Sequence, residues 1–529
     1  MVAASELSIN TSASATQMAE AIFGDGVTVV DASYSGSWYS SGIYSGGDTT
    51  SPGVTPGDTG VILSTGVARD FTNSSGSSNQ DNNTSTNTGG QNGNSGFNAI
   101  AGAYTYDASY IDVDFIPTGD TMTIEFVFSS DEYPEYSASI YNDVVGVWIN
   151  GQHVPLSVAN GNATAVGSVN QNENVNLYVD NTNDDYNTEM DGFTVTMTLT
   201  IPVTAGEVNS IRIGIADVAD SNYDSNLLIA GDSIQTTLVA EQDDISIYAD
   251  GTQTLDVLAN DHNATGGTLE ITHVNGIAVV AGDSVTLSTG QVVTLNADGT
   301  FSIETDDDDD TVSFTYGVQA VDGAGNVLQS DTGFVTVETI PCFVAGTMIR
   351  TPDGDKAVET LMPGDMVETL DDGPQPLRWI GQREVPAVGD MAPIRIAGGT
   401  YGAHRTLLVS PQHRILVRDI MTNIFFGEDE VLVKAVDLVN GTSIRQVEGG
   451  SVGYVHLLFD RHQVIWSEGL ATESFLPGPQ TTSLFEKDIV DEICALFPEL
   501  DRMTGTGYSP AARRTLRGYE AQLLRKVAA

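Results

Sequence analysis

Residues 193–200 (FTVTMTLT) alternate strictly, with Phe193, Val195, Met197 and Leu199 on one side and threonines on the other. A period of two is the mark of a half-buried strand. Residues 121–128 (TMTIEFVF) nearly repeat it. Together they predict half-buried antiparallel sheet, as in a β-sandwich. A second β region runs from about Asp243 to Glu338, with apolar runs at 255–261 (LDVLAND), 268–274, 292–303 and 312–322. Gly, Asp and Asn separate these runs, and Asp298-Gly299 between two of them is a hairpin signal. Helix signals are few. Ser14-x-x-Gln17 is a capping-box pattern ahead of a short helix from Ala15 to Phe23, with Gly24 as its stop. Thr72 to Asn98 is mostly Asn, Ser, Thr and Gly, and reads as a long surface loop with no capacity for a core. Beyond Pro477 the spacing turns helical, predicting helices from Phe485 to Phe497 and from Pro510 to Val527. No apolar run approaches the roughly 18–20 residues of a membrane span.

Charge divides the chain. Of 71 acidic and 20 basic side chains, 46 acidic ones but only Arg69 and Arg212 precede Cys342, so the front carries roughly -44 and the remainder roughly -7. Such a front repels nucleic acid and anionic membranes. It suits a saline or Ca²⁺-rich exterior, and plain solubility would account for it equally well. The run Asp306–Asp310 is read as a solvated loop. The first residues lack the basic and apolar regions of a Sec-type signal peptide. Cys342 and Cys494 are the only cysteines, so no disulfide framework is on offer. A lone cysteine is most often a buried core thiol. At Cys342, however, Lys, Arg, Pro and Trp all become frequent together, which marks a domain boundary.

Three ordered blocks follow that boundary. The first is PCFVAGTMI (341–349), with TPDG (351–354) and VETLMPGD (358–365) after it. The second is LVSPQHRILV (408–417). The third is YVHLLFDRH (454–462), running on to Glu468-Gly469-Leu470. These resemble the hedgehog/intein (Hint) domains, and among them a bacterial subfamily with SPQH and a terminal HLLFDRH. Family members open on a Cys or Ser nucleophile and carry a T-x-x-H block, for which Ser410-Pro411-Gln412-His413 stands here. The resemblance implies cleavage at Pro341–Cys342. The Cys342 sulfur would attack the Pro341 carbonyl, His413 would supply the acid, and Ser410 would hold the scissile group. Asp460 and His462 are candidates for a second acid/base or resolving role. His456 is a lesser candidate, and His153, His262, His273 and His404 are read as ordinary. The chemistry itself requires no cofactor. The physical case is proximity: sulfur and carbonyl close a five-membered ring without the entropy of bringing two molecules together. The acceptor of the thioester would be water or another nucleophile.

One departure matters. Splicing inteins end in His-Asn, whose Asn cyclises. Here Glu473-Ser474 stands in those places. Splicing is therefore not expected, and the tail should stay attached to the cleaving module.

The front resembles a second family. Residues 15–30, FSSDEYPEY (128–136), YNDVVGV (141–147) and IADVADSNYDS (215–225) are similar to the choice-of-anchor L domain of bacterial secreted and surface proteins. Asp131, Glu132, Asp217, Asp220 and Asp224 could form an oxygen cage suited to Ca²⁺, or could equally be hydrogen-bonded turn residues. Residues 243–338 look like a cadherin-like or VCBS-type repeat, mainly through LDVLAND. The expected fold is mainly β: an N-terminal β-sandwich (1–238), a second Ig/cadherin-like sandwich (239–340), an all-β Hint domain (341–478) and a short α-helical tail (479–529). The expected function is that of a secreted or surface bacterial protein, exported without a Sec-type signal peptide. Its Hint module would cut itself and release or transfer the front, with cell-surface or matrix components as candidate partners. The alternative is a structural adhesin, or a glycan- or Ca²⁺-binding surface protein, whose Hint fold no longer cuts.

Overall fold

The computed structural model describes residues 2–81, 83–137, 139, 141–154, 166–247, 252–305, 312–338, 342–387, 392–426, 428–476, 497, 509 and 511–516. Asp306–Asp310, Pro341, Cys494 and most of the two expected C-terminal helices lie outside these. Among the described residues strand accounts for 45% and helix for 8%, so the fold is mainly β as expected. Two compact units divide it. The first gathers Met1–Asp243, Asp256–Phe301 and Val312–Thr336, and the second Asp244–Leu255, Ser302–Thr311 and Val337–Ala529.

In the first unit, an eight-stranded and a five-stranded antiparallel sheet enclose a core that includes Met18, Ile22, Phe115, Phe126, Phe128, Ile213 and Leu227. The helix Ala15–Ile22 forms as the capping box predicts: Ser14 Oγ accepts from Gln17 N–H at 3.2 Å and Gln17 Oε1 from Ser14 N–H at 2.9 Å. Gly24 follows it because a Cβ there would stand 2.2 Å from the Asp232 carbonyl oxygen. The alternating run at 193–200 is interrupted. Phe193 pairs with Ser129 but Met197 with Phe126, so one extra residue is accommodated between Gly192–Thr194 and Met197–Pro202. In the second β segment, Thr268–Val274 pairs with Val312–Val321, and Ser284–Thr286 with Val292–Leu295.

The second unit contains a six-stranded and an eight-stranded sheet around Phe343, Ile349, Val409, Ile415, Val455, Leu457, Phe459 and Ile465. Glu468 and Gly469, both at positive φ (52° and 84°), form the two-residue turn between Val464–Ser467 and Leu470–Glu473. That hairpin brings Glu473 opposite Val464. Residues 511–516 fall within the expected helix Pro510–Val527, yet they are not helical. Leu516 is buried, its N–H donates to the Leu432 carbonyl at 2.8 Å, and Thr515 bridges Leu432. The sheet-edge strand Val431–Lys434 takes these backbone groups in place of a helical ladder.

Candidate functional site

The short strand Phe343–Val344 lies between two others. Phe343 is opposite Val409 on one side and Val455 on the other. One residue earlier in the same antiparallel registers, Cys342 falls beside Ser410 and beside His456. The contacts follow. Ser410 N–H donates to the Cys342 carbonyl at 2.9 Å. The Cys342 N–H donates to Ser410 Oγ at 2.7 Å, and Cys342 Sγ is 3.4 Å from His456 Nε2. All three residues are buried.

Pro411 follows Ser410 and starts a turn closed by His413 N–H donating to the Ser410 carbonyl at 3.1 Å. The turn lays the His413 ring against Phe343, with centroids 4.3 Å apart. Neither ring nitrogen of His413 has a hydrogen-bond partner among the described residues, though both are buried. Burial pushes its pKa down to about 4. Glu473 opposes this, and Arg414, His456 and His462 add to it. The imidazole is therefore neutral near pH 7, not poised at neutrality as an unperturbed histidine would be.

His462 and Glu473 form a second buried group. Ala512 N–H donates to His462 Nδ1 at 2.9 Å, so the ring proton sits on Nε2. Nε2 lies 3.1 Å from the Ser474 carbonyl oxygen and 3.4 Å from Glu473 Oε2. Arg414 binds the same carboxylate through its N–H at 2.8 Å and its guanidinium at 3.1 Å. Burial favours the protonated Glu473, but Arg414 and His462 outweigh it and hold the pKa at about 2. Asp460 does not join either group. Its exposed carboxylate pairs with Arg378 at 3.1 Å, because the chain turns outward after Phe459. Pro341 lies outside the described residues. The place of His456 opposite Cys342 is set by strand register, which motif spacing alone does not express.

Four of the five acids expected to bind metal accept backbone hydrogen bonds. Thr84 N–H donates to Asp131 Oδ2 at 2.6 Å, and Asp191 N–H to its Oδ1 at 3.2 Å. Thr86 N–H donates to Asp224 Oδ1 at 2.7 Å, Asp143 N–H to Glu132 Oε2 at 3.3 Å, and Asn222 N–H to Asp220 at 3.0 Å. Asp107 takes Thr88 N–H and Gly90 N–H in the same way. Most of these carboxylates anchor the polar loop by satisfying its backbone donors. Asp217 is buried beside Asp143, with Oδ1 unpartnered among the described residues. Among the described residues, no three His, Cys, Asp or Glu side chains converge to hold a metal ion.

This arrangement has a pH signature. Burial, with Asp191 adding to it, raises the Asp131 pKa to about 9. Burial, with Asp143 adding, raises Glu132 to about 10. The native state thus holds protons that the unfolded chain, titrating near ~4, has lost. Their contribution is full below about pH 4 and is lost as pH rises toward 9–10. The melting temperature of the first unit should fall between pH 5 and pH 9 in calorimetry. Glu132→Gln should flatten that fall, whereas an unchanged slope would place the effect elsewhere.

Comparison with known proteins agrees with these two regions. Residues 341–479 match the family model of the Hint domain, and residues 7–235 that of the choice-of-anchor L domain. The chain therefore carries a Hint domain behind a choice-of-anchor L domain. No curated protein matches it. Similar solved structures include a bacterial intein-like domain from Clostridium thermocellum (17% identity, 25% of this chain and 97% of that one, TM-score 0.19). The gp41-1 intein is another (10% identity, 25% and 97%, TM-score 0.17).

Proposed function

We propose that the Hint domain cleaves its own chain at Pro341–Cys342. The observation that carries this reading is the grip on Cys342: its amide nitrogen, the leaving group, is hydrogen-bonded to Ser410 Oγ, and its sulfur faces His456 Nε2. His456 takes the thiol proton, and Sγ attacks the Pro341 carbonyl carbon. The C–N bond breaks as the nitrogen takes up a proton, leaving Pro341 as a thioester on Cys342. The proximity of sulfur and carbonyl can supply on the order of 7–11 kcal/mol of the barrier. His413 serves as a neutral hydrogen-bond donor whose basicity rises as negative charge develops in the tetrahedral intermediate. Water or another nucleophile then opens the thioester, frees residues 1–341 and restores the thiol.

Splicing is not part of this reading. Ser474 lacks a side-chain amide, its Oγ accepts from Gln463 N–H at 2.9 Å, and Glu473 is committed to Arg414. In this reading the released portion acts at the cell surface or outside the cell, which the match to the choice-of-anchor L domain supports. The likeness of residues 243–338 to a cadherin-like or VCBS-type repeat rests on Leu255–Asp261 and is part of the same proposal. His456→Ala should slow thiol-induced release of residues 1–341 by about 10²-fold or more, the scale of losing a general base. Mass spectrometry of timed samples measures it. Release at the wild-type rate would remove His456 from the chemistry.

A further inference from the structure

The five-stranded sheet of the first unit runs in the order Val27–Ser35, Thr105–Pro117, Asn209–Val218, Val144–Ile149, Gln152–Val154. Its inward residues include Ile111, Val113, Phe115, Ile211, Ile213, Val147 and Ile149, which are buried. The alternate positions therefore face outward. One row of them crosses the whole sheet in register: Ser33, Asp112, Arg212, Trp148 and His153. Two residues along the strands, Asp114 and Ser210 face each other. Asp112, Arg212, Trp148, Asp114 and Ser210 of these rows floor a cleft of about 460 Å³ that Ser95, Gly96 and Gly151 help to line. That size falls within the roughly 300–1,000 Å³ of small-ligand sites.

The floor is built rigidly. A Cβ at Gly146 would lie 2.3 Å from the Trp148 ring and one at Gly96 3.2 Å from it, so two glycines make room for the indole. Phe97 packs edge-on against it, with centroids 5.0 Å apart. Asp112 clamps Arg212 through Nε at 2.7 Å and Nη2 at 3.0 Å, and the guanidinium lies 4.3 Å over Tyr110. Arg212 is one of only two cationic side chains before Cys342. The exposed Asp114 carboxylate, the Trp148 indole N–H and Arg212 Nη1 have no hydrogen-bond partners among the described residues. The cleft thus combines a fixed indole with convergent planar donors and acceptors left open.

We propose that this cleft binds a neutral pyranose chain. An indole matches the apolar C–H face of a sugar ring, while the exposed Asp114 carboxylate and a guanidinium held in plane by Asp112 match pairs of neighbouring hydroxyls. Fixing the indole and the guanidinium beforehand lowers the ordering cost of binding. The roughly -44 charge of the region disfavours an acidic ligand. This proposal is independent of self-cleavage.

The test titrates the full chain with cellohexaose, laminarihexaose, maltohexaose and mannohexaose by calorimetry, with spermine as the cationic control. At least one hexasaccharide should bind with a dissociation constant below 1 mM on the order-of-magnitude scale of weak specific sites. Asp114→Ala, which removes an exposed side chain with no partner to lose, should weaken it about tenfold or more, as should Trp148→Ala. No binding by any of the four, binding unchanged in Asp114→Ala, or binding of spermine alone would overturn the proposal.

Discussion

Cys342→Ala should abolish release of residues 1–341 at any thiol concentration, because it removes the sulfur of the residue that follows the Pro341 carbonyl. The loss should be complete within detection. The proximity advantage belongs to that atom, and an external thiol attacking an ordinary amide has none of it. His413→Ala should slow cleavage by about 10²–10⁴-fold without abolishing it. The two variants together separate the nucleophile from the group that assists it. The His413 pKa of about 4 adds a pH expectation: the neutral ring persists above about pH 5, so cleavage should not decline between pH 8 and pH 6 through His413 protonation. The rate in each variant can be followed by intact mass in dithiothreitol. Cleavage of Cys342→Ala at a measurable rate would move the nucleophile to another residue.

Glu473→Ala should destabilise the Hint domain by about 3–5 kcal/mol, the cost of leaving a buried charge without its partner. The Arg414 and His462 contacts converge on this one fully buried carboxylate. At roughly 2–4 °C per kcal/mol for a unit of this size, the melting temperature should fall by about 6–20 °C. The depressed pKa of about 2 gives the pair a second readout. A carboxylate held below its unfolded value contributes stability that is present above about pH 4.5 and lost as pH falls toward 2. Wild-type protein should therefore lose stability in acid more steeply than Glu473→Ala does. Calorimetry from pH 3 to pH 7 measures both. A variant as stable as wild type would show that the pair merely breaks even against its desolvation.

Much of the site can be read in one dimension because the Hint motifs are contiguous. Ser410 and His413 are three residues apart, and a single proline-started turn joins them, so spacing expresses their relation directly. The partnership of Cys342 with His456 spans 114 residues and depends on which strand lies beside Phe343. The alternation of YVHLLF signals a strand, but not its neighbour or its register. Asp460 shows the reverse case. It lies two residues before His462, yet the chain turns between strands and gives its carboxylate to Arg378 and solvent.

The acidic front shows where composition runs out. Its shortage of cations is plain in the sequence, but the partners of Asp131 and Asp224 are backbone N–H groups of a loop with no pattern of its own. Phe193 to Thr200 reads as one strand because alternation survives the extra residue that breaks its pairing. In the second unit, residues 511–516 carry helix-compatible side chains, but the open edge at Leu432 and the burial of Leu516 decide their course.

The central claim is the thioester at Pro341–Cys342, and hydroxylamine tests it most directly because it attacks thioesters and spares ordinary amides under mild conditions. Purified full-length chain is incubated with hydroxylamine at neutral pH, and the products are weighed by mass spectrometry. The account predicts two chains: residues 1–341 ending in a hydroxamate at Pro341, and residues 342–529 beginning with a free Cys342. A chain that keeps its intact mass after prolonged incubation would contradict it, as would a product joining residues 1–341 to the tail with the Hint domain excised.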